Sequence, residues 1–468
     1  MLLPVSSWSA AALQAEQAKD VALQFETISR LSVLSFVHVA LPTDRLVALV
    51  ATTGNDSESE SDAALKRTLF ASRVVLGPFS ATMMDTAVAW LDKGVRKVLV
   101  DAESLQDDEL QRVAVAVSEL PASRVVLRLP VELATLESAD AVTQLRGKLQ
   151  RLQSTVGGVV LLLRRAPTAL LTTDDEAFAR VSKALQTLRD AVDESALFAV
   201  EWDAIHQETF DRSALVPRIA TLHRESIQLM APALPRASTA DDRAQFVDAG
   251  EAFVKCLRSD RVDGLFTTVV VDESGVALGL VYSSEESVLA AIESGRGVYY
   301  SRSRKGLWKK GESSGNVQEL VQLDVDCDSD ALRFMVRQTG AGFCHLNTRT
   351  CWGDAGGLTY LQAMLESRLQ DAPAGSYTKR LFDDAELLRN KLVEEAQELA
   401  EAQTPTHVAE EAADVMYFAM VRCVAAGATL TDVERQLDMR SLKVKRRPGN
   451  SKAYRIEAAN EILKKQKQ

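Results

Sequence analysis

The sequence predicts a multidomain chain: an α/β domain over 1–258, a smaller α+β domain over 259–370 and an all-α helical domain over 371–468. At 468 residues it exceeds what one hydrophobic core ordinarily organises, and about three domains are expected. Short apolar runs alternate with helical periodicity up to about residue 260, after which strand-like runs crowd together and helical periodicity then takes over. The run Asp371-Ala372-Pro373-Ala374-Gly375-Ser376 separates the last two regions and reads as a linker.

In the first region, strands are expected at 33–40, 46–50, 73–76, 97–100, 124–129, 159–163, 197–201 and 227–230. Helical patterns lie between them, at 107–120 and 175–192 for example, and the acidic stretch 53–63 reads as a solvated loop. Such alternation implies a largely parallel sheet, with an incomplete or degenerate barrel as its form. In the second region strands are expected at 265–271, 279–282, 298–300 and 320–326, with a helix at 285–294. Two long helices close the pattern, at 383–402 and 406–426, and Gly427 is the natural stop for the second.

A composition of 46% hydrophobic and 25% charged residues belongs to folded, globular domains. The net charge of -11 argues against general nucleic-acid binding, since it repels a polyanion. Five cysteines are too few for a disulfide framework and fit a reducing compartment. Residues 1–20 have the pattern of neither a secretory signal nor a transit peptide, and no apolar run approaches the roughly 20 residues of a membrane span. A cytoplasmic protein with no membrane partner is expected.

The chemistry is densest at Asp326-Cys327-Asp328-Ser329-Asp330, followed by Cys344-His345 and Cys351. On an extended strand, Asp326, Asp328 and Asp330 would share one face and gather magnesium, with Cys327 on the other face. Thiolates prefer zinc, and Cys327, Cys344 and Cys351 would leave a fourth position for water, as in a catalytic site. Upstream, Arg302 and Arg304 alternate on a presumed strand and could hold a phosphate, and Trp308 follows. Lys310, Glu312, Ser314 and Gly315 then make a loop with backbone and hydroxyl donors. Singly, each of these features is more often a solvated face or a small core residue; together they are harder to dismiss.

The order SRSR, W, KGE-SG, DCD-D, CH and C resembles that of phosphoribosyl-AMP cyclohydrolases over about 261–353. That resemblance implies hydrolytic opening of an N1-ribosylated adenine, zinc at Cys327, Cys344 and Cys351, magnesium at Asp326, Asp328 and Asp330, and proton transfer by His345. It also implies a homodimer in which one subunit lends a cysteine to its partner's zinc. Asn316 stands where many members have histidine, and Leu346-Asn347 replaces a common Thr-Gly.

In the last region Glu394, Glu395 and Glu398 share one helix face, and Glu410, Glu411 and Asp414 share the next. An antiparallel pair would bring the two acidic faces together, where magnesium can neutralise them and hold a polyphosphate. EExxE followed by ExxD resembles the all-α nucleoside-triphosphate pyrophosphohydrolases. Residues 376–381 and Lys391 are similar to the phosphoribosyl-ATP branch, over about 373–447, with Phe418 where bacterial relatives often carry histidine. Lys379 and Arg440 are candidate phosphate contacts, the latter beginning a basic run with Lys443, Lys445, Arg446 and Arg447.

The order of the regions resembles the front portion of fungal multifunctional histidine-biosynthesis proteins, and no histidinol dehydrogenase domain is expected. The first domain is similar in outline to the phosphoribosyl isomerase barrel. Residues 2–7 offer no acidic group at the end of a first strand, however, and Asp101 alone is ordinary loop chemistry, so a structural or assembly role is expected. The expected substrates are small nucleotides. A non-catalytic metal-binding scaffold and a general nucleotide-pool pyrophosphatase are the rival readings, and the latter leaves the middle domain unexplained.

Overall fold

The computed structural model describes residues 2–7, 18–51, 60–71, 73–353, 356–444, 456–457 and 460–462. The acidic stretch 53–63 falls largely outside them, and from Glu60 onward it belongs to the helix Glu60–Ala71. Lys445, Arg446 and Arg447 of the basic run also lie outside. No single helix among the described residues is long and apolar enough to cross a membrane.

Eight parallel strands close into a barrel: β1 (Leu2–Ser7), β2 (Val37–Ala40), β3 (Val74–Phe79), β4 (Lys97–Asp101), β5 (Val125–Glu132), β6 (Gly158–Arg164), β7 (Leu197–Trp202) and β8 (Gln228–Leu234). Each pairs with its neighbour in sequence, and β1 also pairs with β8, Leu2 beside Leu229. The barrel is therefore closed, neither incomplete nor degenerate as the sequence suggested. A two-residue strand, β9 (Val247–Asp248), adds to β8. The strands are nearly continuous apolar runs because both faces are covered, one by the barrel interior and the other by helices. Leu3, Val5, Val75, Leu99, Val126, Val160, Ala199 and Met230 fill the interior.

The expected strand at 46–50 lies instead in the helix Thr43–Ala51. Leu46 and Leu49, three apart, are buried, whereas Val47 is 46% exposed. A five-residue apolar run fits either element, and here the buried positions follow the helical period.

Inward positions on β4, β5 and β7 carry charge. Arg128 holds Asp101 with two bonds of 2.8 Å and reaches Glu201 at 3.1 Å, and Glu201 accepts from His206 at 2.9 Å. Asp101 is thus part of a network, not the lone loop residue expected. His38 is fully buried nearby with both ring nitrogens unpaired, and burial drives its pKa down to about 4.

The middle sheet comprises β10 (Phe266–Val271), β11 (Ala277–Ser283), β12 (Val298–Ser301), β13 (Gly306–Lys309), β14 (Gln318–Val325) and β15 (Ala331–Gln338). Its order is β13-β12-β11-β10-β15-β14, antiparallel except for the central β10–β15 pair. The helix Glu285–Ser294 falls where expected and is closed by a capping box at Ser284. The edge strand β14 meets the barrel. The Leu323 amide donates to the Val33 carbonyl at 2.9 Å, and Arg73 bridges Asp324 at 3.2 Å while donating to the Ser32 and Val33 carbonyls. The barrel thereby covers an edge that would otherwise be open to pairing.

Barrel and middle sheet form one compact unit through Ala341, and Gly342–Ser441 belong to a second. Three separate domains were expected, with a break at 370/371. The helix Leu358–Gln370 instead packs Leu365 into the second unit's core with Leu381, Leu388, Phe418, Val421 and Val424. The helices Tyr377–Asp383, Ala385–Glu401, Pro405–Ala425 and Leu430–Ser441 complete that unit, so the expected helix pair is the centre of a larger bundle. Gly427, with φ +73°, follows the long helix as its stop.

His38 makes stability depend on pH. Between its ordinary pKa of 6.5 and about 4, the unfolded chain binds a proton there that the folded barrel does not. The free energy of unfolding should therefore fall as pH drops through that window, by at most about 3 kcal/mol from this group. His38→Leu should flatten that segment relative to wild type. Urea melts at steps between pH 7 and 4 check it, and parallel profiles for the two proteins would refute it.

Candidate metal centres

Among the described residues, acidic side chains gather into two groups with metal-binding potential: Asp326, Asp328 and Asp330, and Glu395, Glu411 and Asp414. In each, ligand atoms lie within 4.8 Å of one another.

The first group sits on the turn from β14 to β15, and the sequence expectation of an extended strand is corrected here. Asp326 Oδ1 accepts the amides of Asp330 (3.0 Å) and Ala331 (3.1 Å), which curls the segment, and Ser329 takes φ +69° at its tip. The turn, not strand alternation, brings the carboxylates together. Desolvation raises the Asp326 pKa, but the amides of Ala331 and Asp330 outweigh it and hold the carboxyl below its ordinary value. Desolvation and the charges of Asp328 and Asp326 push Asp330 up. Crowding of this kind suits a hard divalent cation, which would remove the repulsion. Cys327 lies exposed in the same turn.

Arg302 and Arg304 also lie on a turn, between β12 and β13, rather than on a strand. The Arg302 guanidinium covers the Tyr282 ring at 4.0 Å. Trp308 on β13 packs against Tyr299, with Lys310 over its ring at 5.7 Å. Glu312, Ser314 and Gly315 form an exposed loop. Asn316 is buried, and its Oδ1 accepts the Ala341 amide, a structural clamp on the following turn.

In the second unit, the loop carrying Cys344, His345 and Cys351 folds on itself. The Phe343 amide donates to the Arg349 carbonyl and the Cys344 amide to that of Thr348. Gly342, with φ +138°, has no room for a Cβ against the Thr348 carbonyl. Hydrogen bonds from the Leu346 amide, the Thr348 hydroxyl and the Cys351 thiol pull the Cys344 pKa below its ordinary value. Two neighbouring thiols, one biased toward thiolate, fit zinc chemically. His345 is exposed, its Nδ1 3.8 Å from the Cys344 sulfur.

The second acidic group lies between the helices Ala385–Glu401 and Pro405–Ala425. Glu395 is buried and bonded to Lys391 at 2.7 Å, and Lys391 also holds Glu394 at 2.8 Å. Despite desolvation, these carboxylates raise the Lys391 pKa. Glu411 accepts from His407 at 3.1 Å, while its Oε2 is buried without a hydrogen-bond partner. Desolvation, Glu411 and Glu394 push Glu398 above its ordinary value. An orphaned carboxylate oxygen among acidic neighbours is what a divalent cation would satisfy. Glu410 is exposed and outside the group, Lys379 pairs with Asp383 at 2.8 Å, and Arg440 is exposed in the last turn of its helix. Sequence reasoning missed His407, although its place four residues before Glu411 on one helix was available as a signal.

The family model described as phosphoribosyl-AMP cyclohydrolase matches residues 279–353, and that of phosphoribosyl-ATP pyrophosphohydrolase matches 358–441. The histidine biosynthesis bifunctional protein his7 of Schizosaccharomyces pombe is 57% identical over 194 residues, which are 42% of this chain and 46% of that protein. The histidine biosynthesis trifunctional protein of Saccharomyces cerevisiae is 55% identical over 197 residues, 42% of this chain and 25% of that protein. The histidine biosynthesis bifunctional protein HisIE of Vibrio vulnificus is 35% identical over 193 residues, 39% of this chain but 91% of that protein. The chain thus spans less than half the length of the two yeast proteins.

If the helical group is a cation site and not an acidic surface, Glu411→Gln should have opposite effects with and without metal. In chelator it relieves repulsion and should raise stability by roughly 1 kcal/mol, or about 4 to 8 °C for a unit of this size. Added magnesium or manganese should stabilise wild type and not the variant. Melting curves decide it, and equal metal responses would refute the site.

Proposed function

Because this chain belongs to the histidine-biosynthesis family that joins a phosphoribosyl-AMP cyclohydrolase to a phosphoribosyl-ATP pyrophosphohydrolase, we propose that it catalyses both reactions. The helical unit hydrolyses phosphoribosyl-ATP to phosphoribosyl-AMP and pyrophosphate. The cyclohydrolase region then opens the adenine ring of phosphoribosyl-AMP to the formimino carboxamide ribonucleotide. One observation carries this reading: each matched stretch contains one of the two gathered acidic groups.

In the helical unit Glu395, Glu398, Glu411 and Asp414 would hold magnesium, which when bound neutralises polyphosphate charge and polarises a phosphoryl oxygen. Lys391 restrains Glu394 and Glu395, leaving Glu394 placed to accept a proton from the attacking water. Lys379 and Arg440 are exposed cations that a triphosphate can recruit. In the cyclohydrolase region Asp326, Asp328 and Asp330 would hold magnesium, and Cys327, Cys344 and Cys351 would hold zinc, which when bound activates water for attack on an electrophilic carbon. His345 moves the proton. Arg302, Arg304, Lys310, Glu312, Ser314, Gly315 and the Trp308 ring bind the nucleotide and its phosphate.

We also propose a homodimer in the cytoplasm. Val408 and Met416, 38% and 51% exposed on one helix, and Leu437, 57% exposed, are apolar surface that a second copy would cover. The non-catalytic scaffold reading has no observation in its favour.

Incubating purified protein with phosphoribosyl-ATP, magnesium and zinc, and following pyrophosphate and ring-opened product separately, tests the proposal. Asp414→Asn should abolish pyrophosphate release and leave ring opening of supplied phosphoribosyl-AMP intact. Cys344→Ser should lower bound zinc and ring opening together, while Cys256→Ser and Cys423→Ser retain both. Retained zinc and activity in Cys344→Ser would overturn the zinc assignment, and loss of both reactions in a folded Asp414→Asn would count against independent sites.

A further inference from the structure

Ser329 is an uncomfortable residue for the tip of the acidic turn. A serine with φ +69° is strained in its backbone, and such a conformation persists only where its surroundings impose it. It is buried, at 7% exposure, and the groups that fix it come from the barrel. The Arg258 amide, just beyond the helix Ala249–Cys256, donates to the Ser329 carbonyl at 2.8 Å. His223, in the last turn of the helix Leu215–Arg224, lies with Nε2 3.0 Å from Ser329 Oγ.

Asp328 and Asp330 flank Ser329, so the direction of both carboxylates depends on how that residue is held. Asp326 closes the turn from within through the amides of Asp330 and Ala331, but nothing in those two bonds fixes the tip. Burial lowers the His223 pKa to about 4, so the ring is neutral near pH 7 and adds no positive charge beside a cation. A neutral imidazole can donate to or accept from the hydroxyl, whichever the turn requires.

We infer that the barrel positions the cation-binding turn of the cyclohydrolase region: His223, with the Arg258 amide, clamps Ser329 and so presets Asp326, Asp328 and Asp330 for a divalent ion. His223 is a positioning residue and contributes no ligand. The inference rests on the cyclohydrolase reading above. It assigns the first half of the chain a task in the chemistry of the second.

The test uses the full chain with zinc kept saturated, and Glu411→Gln with Asp414→Asn as the parent background, so that the helical group does not bind the probe. Manganese(II) is titrated by electron paramagnetic resonance of the free ion. His223→Ala and Ser329→Ala should each weaken manganese binding on the order of tenfold, in the range of residues that orient metal ligands. The double variant should be no weaker than either single one, because both remove the same contact. His223→Gln should recover part of the loss. In the otherwise native chain, His223→Ala should raise the magnesium concentration needed for half-maximal ring opening, with kcat at saturating magnesium within about twofold, and leave pyrophosphate release unchanged as a check on folding. Should His223→Ala not fold, Ser329→Ala decides alone. Parent-like manganese binding in these variants, with binding lost in Asp330→Asn, would overturn the positioning role and spare the cyclohydrolase reading. Unchanged binding in Asp330→Asn would overturn both.

Discussion

Carboxylates brought within 4.8 Å of one another repel, and each of the two acidic groups depends on surrounding structure to hold it together. In the helical unit the restraint is a pair of packed helices: Glu395 is carried by one, Glu411 and Asp414 by the other, and Lys391 takes part of the charge. In the cyclohydrolase region the restraint is a hydrogen-bonded turn whose tip is gripped from the barrel. The first arrangement follows from helix periodicity. The second requires contacts across 71 and 106 positions of sequence, from Arg258 and His223 to Ser329.

That difference explains what could be read from the sequence. Spacings of three and four put Glu395, Glu411 and Asp414 on the facing sides of two helices, as the structure shows. Asp326, Asp328 and Asp330 were recognised as a group for a different reason from the one that holds: strand alternation was expected, while a left-handed Ser329 and two amides make the turn. The positions of Arg302 and Arg304 failed for the same cause, since alternation also occurs in turns. Barrel closure was not legible because pairing of β1 with β8 leaves no local pattern, and the network of Asp101, Arg128, Glu201 and His206 becomes visible only once four strands are placed side by side.

The division of the chain was misread where a linker-like run was taken for a boundary. Pro373 and Gly375 do mark a turn, but it lies inside the helical unit, because Leu361, Met364 and Leu365 before it pack with Leu381 and Leu388 after it. Composition marks flexible chemistry, whereas a boundary is set by which side chains share a core.

Closure of the barrel by its first strand has a consequence for synthesis. Leu2 leaves the ribosome long before Leu229, its partner across the seam, so β1 waits with one side unsatisfied while seven further strands are made. Such a distant pairing is slow to form and leaves apolar strand edges open to misassociation in the interval. The β14 edge docks on Val33, just before β2, so the middle sheet finds its seat on a segment made early in the chain.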